Sequence, residues 1–109
     1  MLLCCIVAGC GRPHGTVLGE SPKGQPRAIL AVKAGDTPTN VVVSGEMFEK
    51  CPVAGCWFRL RDAGGTIKVD TKAAGFAVVE VPLKTAVTVC GKVVWEGNEI
   101  MLEATGLRY

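Results

Sequence analysis

From Asn40 onward the chain alternates apolar and polar residues in short runs cut by Gly-rich turns, and this two-residue period restricts the fold to β structure. Val is abundant and Gly frequent, as extended strands with tight turns require. Strands are expected over residues 41–50, 56–62, 66–71, 85–95 and 99–104. Phe58 and Leu60 share one face of the second, with Trp57, Arg59 and Arg61 on the other. Ile67 and Val69 point to the core from the third. Val87, Val89, Val93 and Trp95 share a face of the fourth, and Ile100 and Leu102 of the fifth. Ala63-Gly64-Gly65 reads as a hairpin turn. Residues 72–83 read as a longer connection holding a helical turn or an irregular apolar plug, and residues 28–33 as a short helix or an edge strand.

Gly45 and Gly91 fall inside strands, where a glycine marks a bulge or a bend. A small barrel needs such corners. Five strands with a long third connection therefore point to an all-β, five-stranded OB-fold-like Greek-key barrel over residues 28–109. A small β-sandwich is the alternative.

The N-terminus reads differently. Leu2 to Ala8 is apolar, and Val7-Ala8-Gly9-Cys10 has the form of a lipoprotein signal: an aliphatic residue, two small residues, then a cysteine. The small residues fit the narrow site of a peptidase, and the Cys10 thiol carries the lipid. No Lys or Arg precedes Cys10, so the basic part of such a signal is missing. On this reading residues 1–9 are removed, and the chain is anchored through Cys10 on the periplasmic side of a bacterial envelope. Gly11 lacks the acidic character that retains such proteins at the inner membrane, which favours the outer one. The run is too short to span a bilayer, which takes about 20 apolar residues. Residues 10–27 are rich in Gly and Pro and are expected to form a flexible tether. His14 lies in that tether and reads as solvated.

Net charge is +2, with acids and bases interspersed, so nucleic acid is not an expected partner. The expected partners are the membrane, through the anchor, and a protein of the cell envelope. The single His is in the tether, there is no Gly-rich phosphate loop, and Asp62 and Asp70 bracket a hairpin as turn and surface residues. An enzyme is not expected.

Cys51-Pro-Val-Ala-Gly-Cys56-Trp57 is the densest chemical signal. In a hairpin, Cys51 and Cys56 would flank a four-residue loop and face each other across the ladder, about 4.5–5.5 Å apart at Cα, within disulfide reach. The same two thiols could hold a soft metal ion, copper or zinc, with Cys90 as a possible third ligand. Cys90 otherwise reads as a half-buried apolar residue. A redox pair usually takes the form C-x-x-C at a helix N-terminus, and neither condition holds. A second candidate surface is the face of Trp57, Arg59 and Arg61, joined by Lys68, where an OB-fold would place an oligonucleotide.

Val43-Ser44-Gly45, then Cys51 to Phe58, then Gly75-Phe76-Ala77-Val78 resemble a family of short, uncharacterised exported bacterial proteins with a C-x-x-x-G-C-W block. The likeness covers about residues 40–95. It implies an OB-fold-like barrel, often lipid-anchored, and places Cys51, Gly55, Cys56 and Trp57 in the family block. It implies no activity.

Overall fold

A computed structural model describes residues 15–109. The elements are β1 (Val17–Gly19), α1 (Ile29–Lys33), β2 (Asn40–Lys50), β3 (Trp57–Arg61), β4 (Thr66–Asp70), β5 (Ala86–Glu96) and β6 (Glu99–Arg108). The sheet runs β1-β6-β4-β3-β2-β5, and β5 also pairs with β6. That last pairing closes β2, β3, β4, β6 and β5 into a barrel. Every barrel seam is antiparallel except β4–β6, where Val69 and Asp70 pair with Leu102 and Glu103 in parallel. A closed five-stranded barrel with one parallel seam between its third and fifth strands is the OB-fold order.

Alternation fills the interior. Val41, Val43 and Met47 from β2 meet Phe58 and Leu60 from β3, Ile67 and Val69 from β4, Val87 and Val89 from β5, and Leu102 and Leu107 from β6. Packing at this density leaves little tolerance for volume changes. Ile29 and Val32 of α1 cap one opening, and Val78 and Val81 of the 72–83 segment enter the core as the expected plug, without a helix.

Several expectations need correction. The fold does not begin at residue 28. Thr16 and Tyr109 exchange backbone hydrogen bonds of 3.0 and 2.9 Å, β1 pairs with Gly106–Arg108, and Arg27 N–H donates to the Val42 carbonyl at 2.7 Å. The seam with β4 uses only Leu102 and Glu103 on one edge of β6, so the open backbone beyond it takes up residues 17–19. The last strand also runs past residue 104, its expected end, to Arg108, because Leu107 is buried and both edges of this stretch are paired. Trp95 leaves the core face and is 69% exposed, since the β5–β6 hairpin projects past the barrel wall. Gly91 does sit at a bulge, where β5 shifts register between Cys90 and Gly91. Gly45 does not. A Cβ there would stand 2.5 Å from the Arg61 carbonyl oxygen, so close strand approach explains it. The β2 bulge falls instead between Met47 and Glu49.

Candidate functional site

The β2 bulge decides how the two cysteines meet. Met47 opposes Leu60 before it, and Lys50 opposes Phe58 after it. Without the extra residue, Cys51 would face Cys56 across the ladder. With it, Cys51 N–H donates to the Trp57 carbonyl at 3.0 Å, and the cysteines sit diagonally. The pair stands 4.4 Å apart and unbonded.

The turn is held from several sides. Cys56 O accepts from Thr71 N–H at 2.9 Å, and Gly55 O accepts from Val78 N–H at 2.8 Å. Buried Thr71 donates its hydroxyl to the same Gly55 carbonyl at 3.5 Å. Gly55 has φ +61°, and a Cβ there would lie 2.8 Å from the Val79 amide nitrogen. Only glycine fits that conformation and that contact without strain. Next to the turn, the Lys50 ammonium donates to the carbonyls of Val78, Val79 and Val81. The cysteine turn and the plug therefore form one unit.

The sulfur of Cys51 accepts the Ala54 N–H at 3.4 Å. The amides of Ala54, Val53, Gly55 and Cys56 outweigh desolvation and bring its thiol down to about 7. Lys72 stands nearby. Its pKa is raised first by the hydrogen bond and charge of Asp70, 3.3 Å away, and then by Cys56. Val53 and Val79 expose apolar surface at 88% and 54% on the rim.

Cys90 is not part of this site. It opposes Val42 and Gly106, and its sulfur lies 3.4 Å from Thr105 Oγ1. Bulge geometry turns it toward a cleft of about 530 Å³ shared with Glu20, Lys23 and Arg27. Cys51 and Cys56 lie beyond the other end of β2, so Cys90 is withdrawn as a third ligand. Among the described residues, no three His, Cys, Asp or Glu side chains group as a metal site would need. Cys10 and His14 lie outside the described residues.

The second candidate face is assembled as expected but already internally paired. Arg61 donates from Nε and Nη2 to Glu46 Oε1 at 3.1 and 2.8 Å and stacks over Phe48. Arg59 sits between Glu49 and Glu99 at 3.6 and 3.5 Å, and Lys68 reaches Glu96 at 3.0 Å while lying over Trp57. Each cation has a carboxylate, so the face offers no free basic footprint.

Sequence reasoning missed the amide cluster around Cys51. The glycine at position 55 was its visible signal, because a positive φ there turns the amides inward.

No protein-family model matches the chain, and no curated protein does. A solved structure, that of the hypothetical protein ygiW from E. coli, aligns with TM-score 0.60 at 22% identity, covering 82% of this chain and 95% of that one. The likeness is one of fold. It agrees with the OB-type strand order and carries nothing about the cysteine turn.

Proposed function

We propose that the protein is a lipid-anchored, extracytoplasmic binding module whose working site is the Cys51/Cys56 turn, and that its ligand is a soft, thiophilic one. The observation that carries this reading is the pair of unbonded sulfurs on one exposed turn, with backbone amides stabilising the Cys51 thiolate. The thiolate is the form that binds soft metals. The two cysteines stand close together on one turn, 4.4 Å apart, as two ligands of one ion must. A two-sulfur site suits Cu(I) better than a structural Zn(II), which takes four protein ligands. The ion's remaining coordination would come from a cell-envelope partner or a small ligand. The anchor is read from the Val7-Ala8-Gly9-Cys10 pattern.

Titration of the reduced protein with Cu(I) and Zn(II) tests the site. One ion per chain, lost in Cys51→Ser and in Cys56→Ser, is expected; unchanged metal content in the double variant overturns the reading. Globomycin-sensitive processing tests the anchor, and an unprocessed soluble product defeats it. The oligonucleotide reading has less support, because Arg59, Arg61 and Lys68 are each held by a glutamate.

A further inference from the structure

We infer that Cys51 and Cys56 form a thiol–disulfide exchange site acting on accessible disulfides, with Cys51 the attacking sulfur and Cys56 the resolving one. The inference uses the same turn as the soft-ligand reading but not the metal.

The geometry separates the two roles. Cys51 stands on the outer limb of the turn, its sulfur facing the Ala54 amide, with Pro52, Val53 and Ala54 exposed around it. The amides that bind a thiolate there replace the helix N-terminus of an ordinary redox pair, since both present unpaired N–H groups to a sulfur anion. Cys56 sits on the inner limb, tied through its carbonyl to Thr71 and next to the Lys72 ammonium. The β2 bulge sets the two cysteines diagonally, near one another but unbonded. Pro52, Val53 and Ala54 are solvent-exposed and make no core contact, so a substrate can reach the Cys51 side of the turn.

The chemistry balances without a metal. The Cys51 thiolate attacks one sulfur of a disulfide, forming a mixed disulfide and releasing the first thiolate. Cys56, giving up its proton, attacks Cys51 Sγ and releases the second. The protein loses two electrons and two protons, and the substrate disulfide becomes two thiols.

Glutathione disulfide is the first probe, added to the reduced full-length protein before acid quenching, alkylation and tryptic digestion. Cleavage after Lys50 and Arg59 yields one peptide carrying both cysteines, which reports the reaction apart from Cys90 and the N-terminal thiols. The wild type is expected to lose two hydrogens in that peptide. Cys56→Ser is expected to trap glutathione on Cys51, whereas Cys51→Ser accumulates no adduct on Cys56 in the same time. Alkylation of the unmodified protein should mark Cys51, whose sulfur faces the Ala54 amide, before Cys56, read by fragmentation of the same peptide. This second measurement does not depend on any variant folding. A peptide disulfide flanked by apolar residues distinguishes the substrate's source. Faster reaction than glutathione disulfide, lost in Val53→Ser/Val79→Ser, supports a polypeptide substrate, and equal rates support a small one. A peptide that stays reduced, an adduct that forms first on Cys56, or alkylation that marks Cys56 first overturns the inference. Thiol-dependent metal binding without exchange overturns it alone, and exchange without metal binding overturns the soft-metal reading alone.

Discussion

The turns at the two ends of β3 use the same device on different atoms. In the β3–β4 turn, Asp62 Oδ1 accepts the amides of Gly64 and Gly65 at 2.9 and 3.1 Å, and Oδ2 accepts that of Ile29 at 2.9 Å. In the β2–β3 turn, Cys51 Sγ sits among the amides of residues 53–56. Both turns stabilise a negative charge with backbone dipoles, at no cost in side-chain entropy. On oxygen the result is structural. The carboxylate is ionised at neutral pH, and one of its amides is the first of α1, so it pins the helix onto the barrel mouth. On sulfur the same arrangement brings the thiol to the middle of the physiological range and leaves it open to solvent. A nest of amides becomes a reactive site when its acceptor titrates near neutrality and nothing covers it.

The largest effect should follow from breaking the oxygen version. Asp62→Ala leaves three amides without their acceptor and is expected to cost about 3 kcal/mol in urea unfolding. An effect below about 1 kcal/mol would mean that the amides are satisfied by water and that α1 is held by Ile29 and Val32 alone. The same contrast has a pH signature. Burial pushes the Asp62 carboxyl up, but the amides of Ile29, Gly64, Gly65 and its own residue pull harder, so it titrates below the ordinary aspartate value. Its contribution is fully present above about pH 4, where the unfolded carboxyl is already ionised, and is lost as pH falls through the lower folded value. The stability gap between wild type and Asp62→Asn should therefore narrow on acidification from pH 5 to pH 3; a gap independent of pH would refute the charge-based account.

The sulfur turn should respond next. Gly55→Ala places a Cβ against the Val79 amide at positive φ and is expected to cost about 2 kcal/mol. Because it reshapes the amide cluster, it should also raise the midpoint of Cys51 alkylation toward the free-thiol value. Stability lost without that movement would separate the turn's packing from its electrostatics.

Cys51→Ser keeps a small acceptor in place and should change unfolding free energy by less than about 0.5 kcal/mol while abolishing thiol chemistry. Asp62→Asn should cost more than this, because only the oxygen turn carries a helix. Smallest of all, Arg61→Ala removes an exposed ion pair with Glu46 and should cost no more than about 0.3 kcal/mol. It should leave any oligonucleotide affinity unchanged; a steep, salt-dependent loss would revive the basic-face reading.

The sequence by itself determined the barrel. Phe58, Leu60, Ile67, Val69, Val87, Val89, Ile100 and Leu102 all face inward as their two-residue alternation requires, because a half-buried strand can present apolar side chains on only one side. It also marked the cysteine turn, since sulfur pairs with glycine and proline between two strands have few other uses. The tertiary structure decided the rest. A bulge adds one residue without breaking alternation over a long segment, so its place after Met47, and with it the diagonal setting of Cys51 and Cys56, could not be read from a period. Residues 17–27 carry no apolar period because, apart from Leu18 packing against the core and the buried Pro22, their attachment is through backbone hydrogen bonds to open strand edges, which any residue except proline can donate. Arg59, Arg61 and Lys68 stood as a candidate basic face until the fold brought glutamates from β2, β5 and β6 beside them, and Cys90, read from the sequence as a half-buried apolar residue or a third thiol ligand, lost the second reading when the closed barrel set it at the opposite end of β2.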